Sequence, residues 1–69
     1  MAFDSKYVKF GVIKVEGDKV KLYANSNTYI TVNVGKTVTN ASWSGDELNV
    51  SMSDGKVRRY KNQNTYNTI

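Results

Sequence analysis

Lys56, Arg58, Arg59, Tyr60 and Lys61 are the densest run of reactive chemistry in the chain. Four cations around one aromatic ring suit single-stranded nucleic acid, because cations track phosphates while an aromatic face stacks on a base. The same run also suits a plain edge strand, with packed stems and charged heads in water that discourage stray pairing. A self-association contact is a third reading. Tyr29 and Tyr66 raise a separate question. They either pack across strands against Tyr23 and Tyr60, or stack on a sugar that neighbouring Asn and Thr side chains hydrogen-bond, as in a small tandem-repeat lectin.

Catalytic chemistry is thin. The chain has no His and no Cys, which removes the usual general base and the thiol nucleophile. The six carboxylates, Asp4, Glu16, Asp18, Asp46, Glu47 and Asp54, fall near the N-terminus or in turn-like segments. Their spacing suggests neither a buried acid/base pair nor a calcium loop. The sequence therefore predicts no enzyme, no catalytic residues, no cofactor and no metal.

The residues that could bind belong to a stretch used twice. Residues 19–32, KVKLYANSNTYITV, align without a gap on residues 56–69, KVRRYKNQNTYNTI, with eight identities in fourteen. Self-similarity of this kind marks repeated supersecondary units. Where the copies differ, Leu22, Ala24 and Ile30 become Arg59, Lys61 and Asn67. If both copies bury the same face, Val57, Arg59 and Lys61 point inward, with Lys56 and Arg58 outward. Two cations then take apolar slots, which predicts a sheet edge or a contact outside the core.

Helical periodicity is absent and alternation is common. Strands are predicted over 7–15 (with a β-bulge at Gly11), 19–24, 28–34, 37–43, 47–53, 56–61 and 65–69. Asp54-Gly55 reads as a two-residue type I′ turn and Gly17-Asp18 as type II′. Residues 38–61, VTNASWSGDELNVSMSDGKVRRYK, resemble one blade of a WD-type β-propeller: a strand ending in Trp-Ser, a Gly-Asp turn, an alternating strand, then Asp-Gly and a Val-Arg-x-Tyr strand. That resemblance implies an antiparallel meander.

The expected fold is all-β. It is a small antiparallel barrel or sandwich of about seven short strands, one domain over 1–69 with repeated halves 1–34 and 35–69. The expected core is Phe10, Ile13, Val15, Val20, Leu22, Ile30, Val32, Trp43, Leu48, Val50, Met52 and Val57. A domain near this size buries only about 60% of its unfolded surface, and such a core rarely gives more than roughly 3–5 kcal/mol. Without disulfide or zinc, self-association is the remaining staple.

The net charge of +4 favours anionic partners only weakly. No signal peptide or membrane span is evident in the sequence, so a soluble cytoplasmic protein is expected. Function is expected to be that of a non-catalytic assembly or adaptor module, a homo-oligomer or part of a larger particle such as a phage virion. The alternatives are nucleic-acid binding through Lys56, Arg58, Arg59, Tyr60 and Lys61, or a lectin using Tyr29 and Tyr66.

Overall fold

The computed structural model describes residues 3–69. It contains one short helix, α1 (Ser5–Phe10), and seven strands. These are β1 (Ile13–Glu16), β2 (Lys19–Asn25), β3 (Thr28–Asn33), β4 (Val38–Ser44), β5 (Glu47–Met52), β6 (Val57–Asn62) and β7 (Thr65–Thr68). The strands form two antiparallel sheets, in the order β1-β2-β3 and β4-β5-β6-β7. Their apolar faces share one core, and among the described residues no strand pairing closes the two sheets into a barrel. The β4–β7 sheet is a simple meander.

The first predicted strand is corrected over half its length: residues 5–10 are helical. Asp4 caps the helix, its side chain accepting the Lys6 backbone N–H at 3.2 Å. Gly11 ends it in the left-handed conformation at φ 73°, its N–H donating to the Tyr7 carbonyl at 3.0 Å. Gly11 is thus a helix cap, not a β-bulge. Phe3, which precedes the cap, and Tyr7 within the helix enter the core. Phe10 is left 44% exposed, so its place in the expected core is corrected too. In the repeat alignment, residues 38–44 (β4) correspond to 1–7, the stretch in which α1 begins. That is why the second sheet has one strand more.

The two halves repeat strand by strand, with β1-β2-β3 matching β5-β6-β7. Within each β2–β3 or β6–β7 hairpin the register is identical. Tyr23 faces Tyr29 and Tyr60 faces Tyr66, each followed by a one-residue irregularity before Asn25 or Asn62. The register against the preceding strand is not. Ile13 pairs with Leu22, and the alignment equates these with Val50 and Arg59. Val50 instead pairs with Arg58.

The cause is one extra loop residue. Glu16 pairs with Lys19 across the two-residue Gly17-Asp18 turn. Met52 accepts no such short return: its N–H donates to the Lys56 carbonyl at 2.9 Å across three residues, Ser53-Asp54-Gly55. Within that loop the Gly55 N–H donates to the Met52 carbonyl at 3.0 Å, and Gly55 takes φ 87°. No described non-glycine residue has positive φ, so Asp54-Gly55 is not the type I′ turn expected. It is a three-residue hairpin closed by a left-handed glycine. A one-residue slip turns every side chain of a strand to the other face. The β6–β7 hairpin is therefore inverted relative to β2–β3.

Inversion explains why β6 does not bury the face of Val57, Arg59 and Lys61 that the first copy turns to the core at Val20, Leu22 and Ala24. Leu48, Val50 and Met52 bury one face of β5, and Leu48 and Val50 sit opposite Tyr60 and Arg58. Tyr60 is 2% exposed and Arg58 half-buried, while Arg59 and Lys61 are exposed and Val57 is half-buried. The cationic replacements at 59 and 61 sit at solvent, where they cost the core nothing.

The buried core comprises Phe3, Tyr7, Val20, Leu22, Val32, Val34, Val38, Leu48, Val50, Met52 and Tyr60. Ile13, Ile30 and Trp43 pack against it half-buried, with the Trp43 ring edge-on to Phe3 at 5.3 Å. Val15, expected inside, is 38% exposed because β1 is an outer strand of its sheet.

Candidate functional site

The repeated hairpins build the same side-chain cluster twice. In the first, the rings of Tyr23 and Tyr29 lie 5.1 Å apart at 38°, with Lys21 Nζ 4.9 Å above Tyr29. In the second, Tyr60 and Tyr66 lie 4.9 Å apart at 40°, with the Arg58 guanidinium 4.3 Å above Tyr66. Each hairpin closes alike: Asn25 Oδ1 accepts the Asn27 N–H and Asn62 Oδ1 the Asn64 N–H, both at 2.8 Å. The cation stands two residues before the first tyrosine, which places it diagonally across from the second. The shared Tyr, Asn and Thr positions give closely matched local geometry. Only the face presented differs.

The second cluster is turned inward and its cation is engaged by the fold. Arg58 Nη1 donates to the Val34 carbonyl at 2.9 Å and to the Tyr60 hydroxyl at 3.1 Å. A planar guanidinium serves two acceptors and a ring face at once, which a point-charge ammonium cannot do as well. The first cluster faces out from the β1–β3 sheet. Lys21 pairs with Glu16 at 3.2 Å, and the hydrogen bond to Glu16 holds the Lys21 pKa above its ordinary value. Tyr29 is 46% exposed and Tyr23 half-buried.

The structure therefore divides the basic-aromatic run of β6. Arg58 and Tyr60 lie on its inner face. Arg59 and Lys61 lie outside, with Arg59 hydrogen-bonded to Asn49 at 3.4 Å and 3.9 Å from Glu47. Lys56 is exposed in the loop before the strand. Tyr66 is 42% exposed beneath Arg58. No single face gathers Lys56, Arg58, Arg59, Tyr60 and Lys61, and Tyr29 belongs to the other sheet. The residues that sequence reading left aside are Lys14, Lys19, Lys21 and Tyr23. By register and alternation they share the outer face of the β1–β3 sheet with Tyr29. The signal was present in the alternation of β2, which places Lys19, Lys21 and Tyr23 opposite Val20 and Leu22.

Comparison of the chain with protein-family models, with curated proteins and with solved structures finds no match. Among the described residues no concave pocket opens and no acidic group has metal-site geometry, and no helix is long and apolar enough to cross a membrane.

The strand edges differ in how they are guarded. The outer strand β1 carries Lys14 and Glu16, and β4 lies beside β1. The free side of β3 receives Gln63, whose Nε2 donates to the Thr31 carbonyl at 3.0 Å. Strand β7 is exposed at all four residues and contains neither charge nor proline. The Ile69 N–H donates to Val57 at 2.8 Å, so by antiparallel alternation the N–H and C=O of Tyr66 and Thr68 point away from β6.

The loop that sets the inversion holds a hydrogen-bonded carboxylate. Asp54 Oδ1 accepts the Lys56 N–H at 3.0 Å and Oδ2 lies 3.4 Å from Lys36 Nζ. The Lys56 backbone bond first, then Lys36, holds the carboxyl below its ordinary pKa. A depressed folded-state pKa adds stability above the unfolded value, and this is lost as pH falls through the folded one. Thermal melts of the parent and Asp54→Ala are expected to differ at neutral pH and to converge on acidification; a gap constant with pH contradicts this.

Proposed function

We propose that the protein is a non-catalytic assembly module that pairs with a second copy of itself through β7. The observation that carries this reading is the unguarded edge: four exposed, uncharged strand residues with outward-facing backbone groups. Such an edge is a template for strand addition unless a charge, proline or covering segment blocks it. Two β7 strands related by a twofold axis at Asn67 set Tyr66 opposite Thr68 of the second copy, and Thr68 opposite Tyr66. Each such pair exchanges two backbone hydrogen bonds, and the two four-stranded sheets become one continuous sheet. A core this small also gains proportionately from burial between copies.

Thr68→Pro tests this. Proline there removes an outward donor and leaves the ladder to β6 intact. Light scattering after size exclusion is expected to give the parent a mass above the 7.8 kDa of one chain, and the variant the single-chain mass. The parent's melting temperature is expected to rise with protein concentration, while that of Thr68→Pro does not. A parent that stays at single-chain mass at every concentration contradicts the reading.

A further inference from the structure

The outward cluster of the first hairpin has an inward twin. In the twin, the cation is bound to a carbonyl and a tyrosine hydroxyl, and one ring is buried. In the first hairpin neither ring is buried: Tyr23 is half-buried, and Tyr29 is exposed with Lys21 Nζ 4.9 Å from its ring centre. Tyr29 is 46% exposed, on a sheet face that carries Lys14 and Lys21 opposite each other and Lys19 beside Glu16. Thr31 and Asn33 complete the same face along β3.

The face has three cations against one carboxylate, and Glu16 is already paired with Lys21. Its surplus charge is positive, in a chain of net charge +4. An exposed aromatic ring beside lysines on a sheet face is what single-stranded nucleic acid needs: a stacking platform for a base and cations for phosphates. Duplex is disfavoured here, because its bases are stacked on each other and offer no face to Tyr29. A neutral sugar would use the ring but not the lysines.

We propose that the outer face of the β1–β3 sheet binds single-stranded nucleic acid. Tyr29 stacks on a base, with Tyr23 supporting its ring from across the strand pair. Lys14 and Lys19 contact the phosphates, while Lys21 stays paired with Glu16. This site stands apart from the β7 edge, so either can fail without the other.

The test is fluorescence anisotropy of a short labelled oligothymidylate titrated with the protein over a range of salt. Two phosphate contacts predict log K falling with log salt at a slope of about −1.4. Tyr29→Ser is expected to weaken binding by about tenfold or more, and Tyr29→Phe to retain it, because stacking uses the ring and not the hydroxyl. Lys14→Ser is expected to weaken binding and flatten the slope by about 0.7. Both replaced side chains are exposed, so the variants should melt like the parent. Thr68→Pro should bind oligothymidylate as the parent does. No binding at low salt, affinity flat across salt, equal binding by Tyr29→Ser, or tighter binding of a duplex or a neutral oligosaccharide would each overturn the proposal.

Discussion

Replacing Asp54-Gly55 with the Gly-Asp turn of the first half, which keeps the chain length, is expected to unfold the protein. A two-residue turn pairs Ser53 with Lys56, as Glu16 pairs with Lys19, and so moves β6 by one residue against β5. Arg59 and Lys61 then take the places of Arg58 and Tyr60 opposite Val50 and Leu48. Arg58's half-buried place already takes a guanidinium, but Lys61 enters the 2% exposed place of Tyr60; burying an unpaired cation there costs several kcal/mol, against a total stability of roughly 3–5 kcal/mol for a core of this size. The same loop change combined with Arg59→Leu, Lys61→Ala and Asn67→Ile is expected to fold again. Those substitutions restore the residues that the first hairpin uses at Leu22, Ala24 and Ile30. Circular dichroism and urea unfolding of the two variants decide the matter. A Gly-Asp turn tolerated without the compensating changes, or one not rescued by them, is incompatible with inversion by loop length.

The second large effect separates two tyrosines that the repeat makes equivalent. Tyr60→Ala removes a ring that is 2% exposed and packed on the core cluster, and it takes away one of Arg58's two acceptors. The expected cost is about 3–5 kcal/mol, as for other large aromatic truncations. Tyr23→Ala removes the same ring from the half-buried outer face. Its cost should stay within about 1.5 kcal/mol, since only part of the ring's apolar surface leaves water on folding. Chemical unfolding of both variants gives the comparison. Equal losses would mean that the two hairpins present the same face.

Most strands were legible because their alternation is unbroken: Val20 and Leu22 against Lys21 and Tyr23, and Leu48, Val50 and Met52 against Asn49 and Ser51. The all-β class and the repeat followed from the same patterns. The helix was hidden by Val8 and Phe10, whose spacing imitates a strand. Asp4 and Gly11 are the cap residues that outweigh them. The face of β6 was not legible from β6 itself, because Val57, Arg58, Arg59, Tyr60 and Lys61 alternate on neither face. It is set by the partner strand and by loop length. A two-residue reading of Asp54-Gly55 gives one face and a three-residue loop gives the other. The candidate site moved with it: the cations and ring that look continuous in sequence at 56–61 are divided between two faces, while Lys14, Lys19, Lys21, Tyr23 and Tyr29 come together from three strands.

The most direct measurement exploits the absence of cysteine from the chain. Single-cysteine variants Leu22→Cys and Arg59→Cys, equivalent positions in the two copies, can be compared for thiol-labelling rate under native conditions. Inversion predicts rapid labelling at 59 and strong protection at 22. Arg59→Cys protected as fully as Leu22→Cys, with Arg58→Cys labelling rapidly, would show the second hairpin facing the same way as the first, and would contradict the account.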